Sequence, residues 1–305
     1  MEIRFTKAFL SYDEQADRLI ARGLQGDRAT LINHLQAVSY YRLSGYWYPY
    51  RRSDPANVGV KLDVFYPDAT VTRIWNRYVF DRRLRLLVMD AIERIEVDAR
   101  TRLAYLHAER YGPFGYADNV ATLPQLKPFD RTRLLDCFRR ELLDSQEDFV
   151  VHFRRKYGPD HNDLPIWVVC ELMTFGSLFT FYRGCEPDIQ KELASRYGVA
   201  DVVCRSWLQT LNTVRNICAH HARLWNRVLG NKPMIPNKNK RWNQPVPIPN
   251  DRMFAVLTIC RHCLGIIAPG SEWTDRFKDL LAAFPEIPHA GMGLIAGWDQ
   301  HPLWV

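Results

Sequence analysis

The segment SWLQTLNTVRNICAHHARLWNRVL, residues 206–229, gathers histidine, arginine and asparagine at a density that phosphate chemistry can use. Read as one helix over 201–229, with each residue advancing about 100°, it puts Leu211, Val214, Ile217, Cys218, Leu224, Trp225 and Val228 on one broad apolar face. His221 falls in the middle of that face. Asn212, Asn216, His220, Arg223 and Arg227 gather on another stripe roughly 80° wide, with Asn216 and His220 one turn apart. Arg215 lies to the side, more than about 90° from His220 around the axis. Its long side chain, or a second copy of the helix in a symmetric dimer, is needed for both to address one phosphate.

The chemistry that fits is metal-free cleavage of RNA. A group that changes charge near neutral pH must take the proton of the 2′-hydroxyl or supply one to the leaving 5′-oxygen, and histidine does this. A fixed positive charge must meet the developing pentacoordinate phosphate, and guanidinium grips phosphate oxygens in a fork that lysine lacks. His220 is thus the candidate acid/base, Arg215 the phosphate ligand, and Asn216 the residue that supports both. The bland alternative is a solvated helix face, with His221 a core or interface histidine.

The elements that must position these residues are helical almost throughout, because strand-like alternation is nearly absent. The spacing predicts helices over 13–25 and 27–45, with Asp27 as an N-cap and Leu31, Leu35, Val38 and Tyr41 on an inner stripe. A loop over 53–68 precedes a long amphipathic helix from Thr70 to the Gly112-Pro113 stop. On it Leu84, Leu87, Val88, Ala91, Ile92, Ile95, Ala99 and Leu103 form the packing stripe. Helices follow over 129–156, 164–184, 186–197 and 201–229, punctuated by Gly158-Pro159, Gly184 with Pro187, and Gly198. Residues 230–250 read as a basic, proline-rich surface loop, either RNA-facing or a plain connector. Two helices near 251–268 and 272–284 lead to a tail, GMGLIAGWDQHPLWV, too apolar to be free, which is expected to dock. The organisation expected is an N-terminal helical and aromatic segment, 1–66, packed on a helical core, 67–229, with the loop and C-terminal helices in 230–305.

Secondary candidates surround this frame. Arg42, Arg51 and Arg52 lie in the aromatic run YYRLSGYWYPYRR, where rings either wedge helices together or stack unpaired bases. Together with Arg223 and Arg227 they are the candidate RNA phosphate contacts. Glu96, Arg100 and His221 are candidate supports behind the histidine site, although Glu96 and Arg100 at i, i+4 also make an ordinary helix pair. Glu171 stands alone in the apolar run PIWVVCELMTFGSLFTF and is expected to need a buried partner, an arginine holding it for structural reasons.

Composition narrows the classes. With 305 residues, 47% hydrophobic, the chain has material for a large packed core, which excludes a disordered or collagen-like protein. A net charge of +7 suits an anionic partner. Seven scattered cysteines read as reduced thiols; Cys260 and Cys263 lack a second ligand pair, so neither a metal nor another cofactor is expected. No apolar run nears the roughly 18 residues of a membrane span, and the N-terminus is charged early, so a cytoplasmic protein is expected. Paired glycosidase carboxylates, a glycine-rich phosphate loop and a GxSxG elbow are missing from the sequence.

Arg215-Asn216-Ile217-Cys218-Ala219-His220 resembles the Arg-x(4 to 6)-His signature of the HEPN superfamily of α-helical RNA-cleaving domains. RNICAHHARLWNR, with YYRLSGYWYPYR, DRRLRLLVMDAIERIEVDARTRLAY and PIWVVCELMTFGSL, resembles in order the Abi-like (AbiD/AbiF, Abi_2) family of bacterial abortive-infection proteins. The resemblance implies a mainly α, HEPN-like helical bundle with a helical N-terminal extension. It also implies a metal-independent endoribonuclease toxin, a homodimer with facing motifs, that leaves a 2′,3′-cyclic phosphate and a 5′-hydroxyl. Phage defence, RNA as substrate or as a regulatory non-coding partner, and an antitoxin belong to the same expectation. The competing reading is a non-catalytic RNA-binding or RNA-regulated protein on the same scaffold. Nucleotidyl modification is a third, weakened by the lack of a tyrosine between Tyr197 and the end of the motif helix.

Overall fold

A computed structural model describes residues 8–158 and 160–305. The first seven residues, part of the N-terminal stretch read above as early-charged, and Pro159 of the Gly158-Pro159 stop lie outside the described residues. The described chain is predominantly helical, as its periodicity requires, and it separates into two compact units. One comprises the described residues up to Leu84 with Leu280–Ile287; the other comprises Arg85–Asp279 with Pro288–Val305.

In the first unit, α1 (Tyr12–Ala21) opens on a capping box: the Glu14 amide donates to Ser11 Oγ at 3.3 Å, and the Ser11 amide to Glu14 Oε2 at 2.7 Å. Gly26, at φ +135°, turns the chain where an added Cβ would come within 3.0 Å of Val71. Asp27 then caps α2 (Arg28–Val38) as expected, accepting from the Thr30 amide at 2.7 Å.

The helix expected over 27–45 is two helices. Ser39, at φ 64° and ψ 152°, breaks it, and its Oγ accepts from the Arg42 amide to start α3 (Tyr40–Trp47). Leu31 and Leu35 are buried as expected, Val38 partly so, but Tyr41 is swung out to 89% exposure. Tyr46, Trp47 and Tyr50 go into the core, so the aromatic run divides between packing and surface. The loop expected over 53–68 holds one strand of an antiparallel hairpin, β1 (Arg51–Ser53) with β2 (Lys61–Phe65). Its polar turn, rich in Asp, Pro, Asn and Gly, masked the short strands in the sequence.

α4 (Val71–Tyr111) contributes to both units. Every residue of its expected packing stripe, from Leu84 to Leu103, is buried. In the first unit the helix buries Asp81, which accepts from the Tyr46 hydroxyl at 2.6 Å.

The second unit continues with α5 (Gly115–Asp118), α6 (Pro128–Asp144) and α7 (Asp148–Tyr157). Extended Ser145 and Glu147 split the helix expected over 129–156. The one expected over 164–184 divides into α8 (Ile166–Leu172) and α9 (Phe175–Gly184) because Thr174 caps α9, accepting from the Ser177 amide at 3.2 Å. α10 (Pro187–Arg196) and α11 (Asp201–Ala219) follow. The basic loop holds a single turn, α12 (Lys240–Asn243), whose Trp242 is fully buried beside Trp207 and His262 with centroids 5.1 and 5.4 Å away. α13 (Met253–Ile267) and α14 (Trp273–Ala282) complete the helices. The tail docks as expected, with Leu303 and Trp304 buried.

Candidate functional site

α11 carries the central residues. Its inner face, Val203, Cys204, Trp207, Leu208, Leu211, Val214 and Cys218, is buried. Asn212 and Arg215 are half-buried, while Asn216 and His220 are exposed on the last turn.

The helix ends earlier than its periodicity implies. The His221 amide donates to Cys218 O at 2.9 Å and the Ala222 amide to Ile217 O at 3.0 Å, a Schellman closure with His221 in the left-handed conformation at φ 55°. This corrects three expectations. His221 is exposed rather than within an apolar face. Arg223 and Arg227 leave the helical stripe; Arg227 Nε donates to Arg223 O at 2.9 Å. Leu224 and Trp225 reach the core from the following loop, where the Trp225 indole donates to Pro288 O at 3.3 Å. Burying these two side chains outweighs continued helix, and no glycine or proline announces the turn.

A non-glycine residue in this conformation costs roughly 1–2 kcal/mol, and histidine tolerates it better than most. His221→Gly is therefore expected to hold or raise the melting temperature, and His221→Ile to lower it by at least about 1 kcal/mol equivalent. Thermal unfolding of both variants checks this. A glycine variant less stable than the isoleucine one would show that side-chain contacts of His221, not its backbone, decide the turn.

Opposite the motif, α4 supplies Glu96 and Arg100. Their i, i+4 pair is present at 2.7 Å, and Arg100 also donates to Met173 O at 2.9 Å. Glu96 is only 8% exposed. Burial raises its pKa, and the charges of Arg100 and Arg215 pull it back down. Arg215 is thereby within electrostatic reach of Glu96, so the two flanking candidates and the motif arginine belong to one charged cluster. Glu171 is exposed, which corrects its expected burial, but its partner is the expected arginine: the largely buried Arg100 lies 3.8 Å away. Asn212 lies beside the N-terminus of α9, where a Cβ on Gly176 would sit 3.8 Å from its amide.

Sequence reasoning missed Arg85. This α4 residue is 5% exposed, and its guanidinium donates to Ala222 O at 3.4 Å, just past the histidines. A basic residue inside the apolar run LRLLV was the available signal, since a buried guanidinium needs acceptors. Arg42, Arg51 and Arg52 are placed in the first unit. Arg51 bonds Leu62 O at 2.8 Å and pairs with Asp63; Arg42 and Arg52 are exposed.

Among the described residues, no three His, Cys, Asp or Glu side chains converge as a metal site. No disulfide joins the described cysteines, and Cys260 and Cys263 are buried on α13. No helix among the described residues is long and apolar enough to cross a membrane.

Residues 33–226, more than half of the chain, match the family model described as Abi-like protein. The chain belongs to the Abi-like family. The Abi-like match includes Arg215, Asn216, His220, His221, Arg223, Glu96, Arg100 and the three arginines of the first unit. Arg227, the basic loop and the Cys260/Cys263 pair fall outside it. No curated protein and no solved structure matches this Abi-like chain.

Proposed function

We infer that this Abi-like chain is a metal-independent endoribonuclease acting in abortive infection. The observation that carries the reading is the joint presentation of Arg215, Asn216 and His220 at the end of α11, with His220 and Asn216 exposed and the charge of Arg215 balanced against buried Glu96. In the proposed reaction the 2′-oxygen attacks the adjacent phosphorus as its proton passes to a base, and the bond from phosphorus to the 5′-oxygen breaks as that oxygen takes a proton. The products are a 2′,3′-cyclic phosphate and a 5′-hydroxyl. The imidazole of His220 exchanges the proton, Arg215 meets the charge on the nonbridging oxygens, and Asn216 orients both.

Each chain offers one such histidine, and a homodimer with apposed α11 ends brings a second, so that base and acid are separate groups. A free toxin of this kind needs restraint, which an antitoxin or a regulatory RNA would supply. Cysteines that form no disulfide suit a cytoplasmic setting.

The test is incubation of the full chain with total and single-stranded model RNA in EDTA, with analysis of the ends formed. Cleavage with cyclic-phosphate ends is expected, and Arg215→Ala is expected to remove most of it. RNA binding without any cleavage, in the presence of phage components as well, would replace this reading with the non-catalytic RNA-binding one.

A further inference from the structure

The first unit carries an open groove of about 470 Å³ that the cleavage chemistry does not use. Arg18 on α1, Arg22 at its C-terminal cap and Arg51 on β1 line it, with Asp63 of β2 as the opposing charge. Asp63 accepts from Arg22 at 2.5 Å and also pairs with Arg51, so one carboxylate holds two guanidiniums and the walls keep a net positive charge. Arg22 also donates to the Tyr40 hydroxyl at 3.1 Å, and Tyr40 meets Trp47 edge-on at 4.8 Å. The cationic wall is therefore braced by hydrogen bonds and rings before any ligand arrives.

A further feature describes the ligand. Tyr41, at the lip of the groove, is 89% exposed, so its ring is open to stacking, an unusual placement for a large side chain beside fixed positive charge. Fixed guanidiniums for phosphates and an open ring for a flat π-system together match what an unpaired nucleotide strand presents. A duplex keeps its bases stacked inside and offers none to Tyr41. An acidic peptide would satisfy the charges but leave the ring unused.

We propose that this groove binds a single-stranded RNA segment, with Tyr41 stacking a base and Arg18 and Arg22 contacting the flanking phosphates. The identification of the strand as RNA rests on the ribonuclease reading; the groove itself does not.

The test uses the full chain carrying His220→Ala, to keep RNA intact, and a fluorescein-labelled single-stranded RNA 12-mer followed by anisotropy. Tyr41→Ala is expected to weaken binding about tenfold or more, and Tyr41→Trp to restore it. Arg18→Ala is expected to weaken binding and to lower the slope of log K against log salt by about one. Phe129→Ala, an exposed ring in the other unit, is expected to have no effect. Unchanged affinity in Tyr41→Ala and Arg18→Ala overturns the proposal even if the wild-type protein cleaves RNA. Displacement of the RNA as readily by polyglutamate, or tighter binding of the same sequence as DNA, overturns it as well. Tyr41-dependent RNA binding by a wild-type protein that never cleaves would retain the groove and remove the ribonuclease reading.

Discussion

His220→Ala is expected to lower RNA cleavage by about 10²- to 10⁴-fold, the usual contribution of a positioned acid/base group. Its melting temperature is expected to stay within about 2 °C of wild type, because the side chain is exposed at the end of α11 and the cap is closed by backbone bonds of its neighbours. That pairing of outcomes separates chemistry from folding. Arg215→Ala is expected to differ in kind. Removing its charge leaves buried Glu96 with Arg100 alone to offset desolvation, and Glu96 already has a raised pKa. A raised carboxylate pKa in the folded state means that stability falls as pH rises through the unfolded value, near 4.5, and the folded one. The loss of stability in Arg215→Ala should therefore grow from pH 4 to pH 7, while the cleavage defect persists under conditions where the variant is fully folded. Arg215→Lys keeps the charge and so spares Glu96, but lacks the guanidinium fork and is expected to remain impaired in cleavage. A decrease below tenfold in His220→Ala, measured as initial rates on one RNA, would remove the acid/base role of this histidine.

The same helix shows what a sequence can disclose. The inner stripe of α4 follows from spacing alone, since one apolar face repeated over many turns has only one way to be buried. The end of α11 does not. Residues 220–229 keep a helical apolar rhythm, so Leu224 and Trp225 satisfy the periodicity whether or not the helix continues. Only the packing around Pro288 decides in favour of the turn at His221, and that partner lies 60 residues and more along the chain. The charge linking Glu96 to Arg215 was hidden for a related reason: the Glu96 and Arg100 pair at i, i+4 has the spacing of an ordinary surface bridge, and only its burial sets it apart from one. In the first unit, Ser39 stands where glycine is the usual residue, so nothing local announced the break that sends Tyr41 outward. Tertiary context overrides periodicity at each of these points, and each lies beside a candidate site.

Trp304→Ala is expected to be among the most destabilising single changes in the second unit, by about 3–5 kcal/mol. Trp304 is 1% exposed. Its ring stacks on Phe254 with a centroid distance of 5.6 Å and an interplanar angle of 10°, meets Trp298 edge-on at 4.9 Å, and lies 5.4 Å from Phe277. Its indole nitrogen donates to Thr258 Oγ1 at 3.1 Å. Truncation removes the ring from all of these contacts and leaves a void that the two helices on either side, α13 and α14, cannot close without shifting. At the entropy scale of a domain of this size, the melting temperature should fall by roughly 6–20 °C. Trp304→Phe keeps most of the stacking and loses the indole hydrogen bond and some volume, so it is expected to recover more than half of the loss. The consequence for function is indirect. Phe254 and Thr258 lie on α13, which packs against α11, so the tail braces the helix that presents His220. Trp304→Ala should then lose cleavage in parallel with its folded fraction on warming, and keep near-wild-type rates well below its midpoint. A variant that stays folded yet inactive in the cold would instead place the tail in direct contact with the cleavage site, and a melting shift under 2 °C would show that the aromatic cluster holds without it.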